Sequence, residues 1–214
     1  MNNEDFVNLI QGSDEWKLAR LGKVTASRIA DMVAKTKNGW GASRANYMAE
    51  LLVERLTGIP TNGYENDAMK WGTATEPEAR MMYQLETGHA VEQVGFVPHP
   101  TIAMAGCSPD GMIGDYGLVE IKCPNSATHI ETLLGRPPRV PDKYEKQIQF
   151  QLACTERVWC DFVSYDPRMP EPMRLFVKQV EREQPQIDYL NTAAIGFLIE
   201  LHNKLLELKE LYND

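Results

Sequence analysis

Val119-Glu120-Ile121-Lys122 alternates apolar and charged residues, and Asp110 precedes it across a stretch that can reverse the chain. On a strand, that alternation puts Glu120 and Lys122 on one face and Val119 and Ile121 on the other. Ile113-Gly114-Asp115-Tyr116-Gly117 can turn the chain back, pairing residues 110–112 with 118–122. Register then decides what the hairpin presents. A five-residue loop pairs Met112 with Leu118 and sets Asp110 opposite Glu120, on the same face. Loop length shorter by one residue sends Asp110 to the other face, because the side-chain period of a strand is two. Pro109 and Gly111 beside Asp110 favour irregular backbone there, such as a bulge. The expectation is that both carboxylates meet.

Two unpaired carboxylates held close repel, so they share a proton or bind a cation. No His or Cys stands at metal-ligand spacing, so the fitting cation is hard and takes oxygen ligands, magnesium or its substitute manganese. Asp110 and Glu120 are the candidate ligands, and the backbone carbonyl of Ile121 between the charged side chains is a further one. Lys122 can orient or deprotonate an attacking water, or pair with a phosphate. A bare E-x-K is common on half-exposed strands. Asp110 is what turns it into a kit for metal-dependent phosphodiester cleavage.

Composition sets the frame. With 214 residues, 43% hydrophobic and 24% charged, the chain is expected to be one soluble domain. The N-terminus lacks the pattern of a signal peptide, and the longest apolar run, residues 193–201, is too short to span a bilayer, so a cytoplasmic protein without membrane contact is expected. Cys107, Cys123, Cys154 and Cys160 show no C-x-x-C spacing and read as reduced, half-buried thiols, with Cys107 and Cys123 able to face each other across the hairpin. A net charge of −8 argues against a protein that coats DNA. It leaves room for an enzyme with local positive charge along a substrate path, whose acidic exterior repels DNA elsewhere.

Periodicity predicts helices over residues 15–21 (capped by Asp14), about 27–34 (opened by Thr25 or Ser27), 44–56 (capped by Ser43) and 66–86, the last with a break or kink near Thr75 where Thr75-Glu76-Pro77-Glu78 resembles a capping box. Residues 35–41 read as a mobile Gly-rich loop. Strands are expected over 90–97, 102–107, 112–113, 118–123, 158–165 and 173–180, with helices over 127–134, 143–154 (capped by Asp142) and 184–211. This order specifies an α/β chain of the α+β kind, a mixed sheet flanked by helices and not a doubly wound parallel sheet. Its parts are a helical 1–88, a mixed-sheet core 89–180 and a C-terminal helix 184–211.

Several motifs fall in one order: Trp16…Arg20-Leu21-Gly22…Thr25-Ala26-Ser27, Trp71-Gly72…Glu76, Cys107-Ser108-Pro109-Asp110-Gly111, Glu120-Ile121-Lys122-Cys123-Pro124, Tyr144…Gln147-Ile148-Gln149 and Tyr165-Asp166-Pro167-Arg168-Met169. In this order the chain resembles the lambda-type exonucleases, the YqaJ-like viral recombinase nucleases of the PD-(D/E)xK superfamily, over about residues 16–180. The resemblance implies a restriction-endonuclease-like core in a single nuclease domain, 1–214. It implies magnesium-dependent 5′-to-3′ digestion of one strand of linear duplex DNA to mononucleotides, leaving a 3′ single strand for recombination by strand annealing. By position, Asp110 and Glu120 would hold one or two ions, Lys122 would place the water, and Glu76 would complete the acidic site, directly or through water. Gln147 and Tyr144 match the third nuclease motif, on a helix beside the metal. Arg20, Ser27 and Ser108 would hold the terminal 5′-phosphate, a role for which a guanidinium and hydroxyl donors are suited.

Gln149 and Gln151 read as ordinary polar positions off the helical face of Gln147. Arg136, Arg139, Lys35, Lys37 and Arg44 are candidates to line the DNA path. The resemblance also implies a homotrimeric ring and a single-strand annealing protein as partner, for which the exposed face of the C-terminal helix is a candidate surface. Rival readings are a restriction-type endonuclease or a single-strand nuclease using the same metal site, a binding module on a dead nuclease fold, and an acidic protein that binds metal only for stability. Intact Asp110, Glu120 and Lys122 oppose the dead fold, and Lys122 has no place in a purely structural cation site.

Overall fold

The computed structural model describes residues 6–61, 66–135 and 139–212, and Arg136 lies outside them. Helix α1 (Asp14–Arg20) is capped by Ser13, whose hydroxyl accepts from the Trp16 amide at 3.2 Å. Asp14, the expected cap, sits instead in the first turn, where its charge suits the helix dipole. Gly22 turns the chain at φ +65°, and its amide donates to the buried Glu54 carboxylate at 2.7 Å.

The N-terminal third is not wholly helical. Val24–Thr25 forms strand β1, followed by a 3₁₀ turn (Ala26–Arg28) and a single-turn helix α2 (Ile29–Met32). Extended backbone at Thr25 is needed for pairing in the sheet, which delays the helix. The expected loop at 35–41 is a two-stranded hairpin, β2 (Lys35–Thr36) with β3 (Gly39–Trp40). There the Thr36 hydroxyl accepts from the Asn38 amide across the tight turn, and the Lys35 ammonium lies 5.1 Å from the Trp40 ring. Helix α3 (Ala42–Thr57) starts from Gly41 and not from Ser43. Helix α4 (Asp67–Thr87) runs unbroken through Pro77. Pro77 and Thr73, whose carbonyl loses its partner, are both exposed, so the loss falls on the solvent side and the helix continues.

The remaining strands are β4 (Val97–Pro98), β5 (Ala105–Cys107), β6 (Gly111–Ile113), β7 (Gly117–Lys122), β8 (Trp159–Tyr165) and β9 (Leu175–Glu181). The strand expected over 90–97 reduces to β4 and one bridge, Glu92 to Met112, because Gly95 and Phe96 donate to the carbonyls of Val7 and Phe6. Two sheets carry the fold: β1-β5-β4, with β1 and β5 parallel, and β6-β7-β8-β9. In the second, β7 and β8 are parallel and the outer pairs antiparallel. Helices α5 (Ser126–Leu134) and α6 (Asp142–Thr155) make the crossover that a parallel pair requires, and α7 (Gln184–Tyr212) closes the chain. Pro141, not Asp142, caps α6.

Helix α6 is buried on most sides. Its Phe150 and Cys154 pack with Tyr47, Met48, Leu190 and Phe197, while Ile148 and Leu152 pack on Leu118 and Phe162 of the sheet. All four cysteines are buried free thiols. Cys107 neighbours Cys154 and not Cys123, whose thiol lies toward Glu76 and Asp110. Among the described residues no helix is long and apolar enough to cross a membrane.

Candidate active site

The hairpin has the five-residue register. Gly111 pairs with Val119, Met112 with Leu118 and Ile113 with Gly117, so the next position outward sets Asp110 opposite Glu120. Gly111 is obligatory for this approach, since a Cβ there would meet Val91 at 2.2 Å. Asp110 is not itself in the ladder. Its Oδ2 accepts from the Ile121 amide at 2.7 Å. The N–H and C=O of one strand residue leave on the same edge, so the Ile121 carbonyl is turned to the Asp110 side as well.

Glu120 is 1% exposed, a burial that a carboxylate sustains only when paired and hydrogen-bonded. Lys122 forms an ion pair with its Oε1. Two amides complete the set: Gln147 donates to Oε1 and Gln151 to Oε2, each at 2.6 Å. Gln151 was expected to lie off this face. It is four residues beyond Gln147, one helical turn, so both project from the same side of α6 onto β7. That i,i+4 spacing was the signal in the sequence. Gln149 is also buried, but on the other side, where it donates to the Glu181 carbonyl and accepts from the Glu183 amide.

Electrostatics follow from this packing. Burial lifts the Asp110 carboxyl well above the usual range, the Glu120 charge lifts it further, and Lys122 opposes both. Burial works against the Lys122 ammonium, but Glu120 and Asp110 outweigh it and raise its pKa. In this arrangement Lys122 is a donor. Its Nζ also lies 5.3 Å from the Tyr144 ring, which stacks on Phe162. Glu76 faces the same cleft from α4, with its carboxylate on Arg80 one turn further on. Burial raises the Glu76 carboxyl, while Arg80 and Lys122 lower it. Glu76, Ile121, Lys122, Cys123, Lys143 and Tyr144 line a cleft of about 560 Å³.

The donor set fits magnesium. Asp110, Glu120 and the Ile121 carbonyl offer hard oxygens, and a bound cation would favour the charged carboxylates that burial opposes. Among the described residues no group of three or more His, Cys, Asp or Glu stands ready to cage a metal. One or two carboxylates, with water and substrate oxygens filling the rest, is how proteins hold magnesium.

A second cluster lies two residues before Asp110. Ser108 Oγ accepts from Arg20 Nη1 at 3.0 Å and from Trp16 Nε1 at 2.9 Å, and Arg20 Nη2 reaches Ser27 Oγ at 3.4 Å. The fold explains this convergence. Parallel β1 and β5 pair Val24 with Ala105 and Thr25 with Gly106, so Ser27 and Ser108 each stand two residues beyond the last pair, at the carboxyl ends of neighbouring strands. Burial lowers the Arg20 pKa, and the guanidinium lies 4.2 Å from the centre of the Trp16 ring. Trp16, Arg20, Lys23 and Ser27 line a cavity of about 330 Å³, and Met69 borders both this cavity and the acidic cleft.

The basic residues away from these clusters divide. Arg44 is 8% exposed, paired with Glu200 at 2.8 Å and set between the Trp40 and Phe197 rings, so it joins α3 to α7 and lines no path. Lys35, Lys37 and Arg139 are exposed.

With parallel β7 and β8 at the sheet's centre and β6 folded back to carry Asp110 over Glu120, the chain has the restriction-endonuclease-like fold. Residues 15–158 match the YqaJ-like viral recombinase domain, and the chain belongs to that family. Among solved structures it is similar to an alkaline exonuclease (LHK-Exo) from Laribacter hongkongensis, at 50% identity and a TM-score of 0.87, over 94% of this chain and 98% of that one. The same exonuclease in complex with dAMP matches with a TM-score of 0.88, at the same identity and coverage. A phage related exonuclease from Haemophilus somnus 129PT shares the fold, at 14% identity and a TM-score of 0.64, over 86% of this chain and 96% of that one. No curated protein matches the sequence.

Proposed function

We propose that this protein is a magnesium-dependent exonuclease that digests one strand of linear duplex DNA from its 5′ end, releasing mononucleotides and leaving a 3′ single strand for annealing. The observation that carries the reading is the two-residue step from Ser108 to Asp110. It joins the cluster of Arg20, Ser27 and Ser108 to the group of Asp110, Glu120 and Lys122, at most about 7 Å apart along the chain. A terminal phosphate held at the first and a scissile phosphate at the second are one nucleotide apart, which makes the product a mononucleotide. The dAMP complex of the Laribacter exonuclease supports a mononucleotide as product.

Asp110, Glu120 and the Ile121 carbonyl would hold magnesium, which when bound activates water and offsets the charge building on phosphorus. Lys122 donates to the attacking water or to a phosphate oxygen. Gln147 and Gln151 keep the Glu120 oxygens fixed. Arg20, Ser27 and Ser108 bind the terminal phosphate, and Tyr144 with Lys143 walls the approach to Lys122. Glu76 completes the acidic site once its carboxylate leaves Arg80. The domain acts as a homotrimeric ring, beside a single-strand annealing protein.

The test sets linear duplex with and without a 5′-phosphate against closed circular DNA, in magnesium. Linear 5′-phosphorylated duplex is degraded and circles persist. Digestion of circles at a comparable rate would return the reading to a restriction-type endonuclease. Arg20→Ala abolishes the preference for a 5′-phosphate while leaving magnesium binding intact.

A further inference from the structure

We propose that Trp16 is a positioning residue for the phosphate cluster: its indole N–H holds Ser108 so that the serine hydroxyl proton is left for the terminal phosphate. This rests on the 5′-phosphate reading above. A serine hydroxyl has one donor and two acceptor lone pairs. Both acceptor sites of Ser108 are taken, by Trp16 Nε1 at 2.9 Å and Arg20 Nη1 at 3.0 Å. Indole and guanidinium nitrogens only donate, so neither can receive the serine proton. That proton needs a third partner that accepts, and the anion held by Arg20 supplies one. With a lone pair free, the hydroxyl could accept from water and turn its oxygen toward the phosphate, where oxygen against oxygen repels.

The same side chain orients the arginine. Trp16 and Arg20 are one helical turn apart on α1, and the guanidinium lies 4.2 Å from the ring centre. Ser13 fixes the start of that helix by accepting from the Trp16 amide. Trp16 thus sets both a donor and the hydroxyl beside it.

Trp16→Phe keeps an aromatic ring beside Arg20 and removes the indole N–H. For wild type, Trp16→Phe, Ser108→Ala and the double variant, kcat and KM are measured on linear duplex bearing a 5′-phosphate or a 5′-hydroxyl. Trp16→Phe is expected to raise KM for the phosphorylated end about tenfold, the worth of one charge-assisted hydrogen bond. It leaves kcat within about twofold and the hydroxyl end unaffected. The double variant is no worse than Ser108→Ala alone, because a ring remains beside Arg20 and the lost N–H acts through Ser108. An unchanged preference in Trp16→Phe, or losses that multiply in the double variant, overturns this inference while leaving the 5′-phosphate reading standing. A wild type with no preference overturns both. For a variant of low stability, the rise in Tm brought by inorganic phosphate over its own phosphate-free Tm is the second readout. Trp16→Phe is expected to lose most of that rise, and an undiminished rise overturns the proposal.

Discussion

Lys122 carries its charge to Glu120 while resting on the Tyr144 ring, and this decides what its removal does. Without it Gln147 and Gln151 still hold the Glu120 oxygens, and the Ile121 amide still holds Asp110. Lys122→Ala is therefore expected to bind magnesium still, read by calorimetry, while single-turnover hydrolysis falls about 10²-fold or more. Retained hydrolysis would remove Lys122 from the mechanism. At this scale much of the site was legible. Asp110 opposite Glu120 is one of the two registers the strand period allowed, and the structure has it; Arg20, Ser27 and Ser108 do come together. Arg44 misled, because a positive charge near a Gly-rich segment says nothing of the carboxylate of Glu200 far along the chain. The Ser13 cap was also missed, since Ser13 and Asp14 are both good caps and backbone geometry chooses between them.

Helix α6 is the element that makes the strand site rigid. Its two glutamines grip the two oxygens of Glu120 from successive turns. Replacing Gln151 by Leu leaves Oε2 buried without a donor, a cost of about 1–3 kcal/mol for such a group. The expected result is magnesium affinity altered by about tenfold or more, measured by calorimetry, with the melting temperature lowered. Affinity equal to wild type would make Gln151 a packing residue only.

At the end of β8, burial alone would raise the Asp166 carboxyl, but hydrogen bonds from Arg168 and Ser126 outweigh it and bring it down to about 2. A carboxyl lowered by folding stabilises the native state above its unfolded value and loses that contribution as pH falls. Stability in denaturant titrations should therefore decline between about pH 4 and pH 2, and Asp166→Asn should flatten that decline. Arg168 also donates to the Pro124 carbonyl and lies over Trp71, so this pair ties the segment that follows β7 to helix α4. A chain motif showed the pair in sequence; what it holds together did not show.

On the scale of the whole molecule, a net charge of −8 must coexist with DNA chemistry. The proposed ring would resolve this, since a protein that encircles its substrate needs little surface affinity to stay on it. Light scattering after size exclusion is expected to give three copies of the 24.2 kDa chain, and a monomer at micromolar concentration would sink the ring.

The sequence by itself determined the α/β class and the face shared by Glu120 and Lys122, and it offered the hairpin register that sets Asp110 opposite them. These depend on periods of two and 3.6 residues, which act between near neighbours. Only the tertiary structure decided who holds those residues. Gln147 and Gln151 reach Glu120 across 27 and 31 residues, and Trp16 reaches Ser108 across 92. No local period encodes such meetings. They arise because burying the apolar faces of α6 and of the β1–β5 pair fixes the angle at which the polar groups on the same elements arrive.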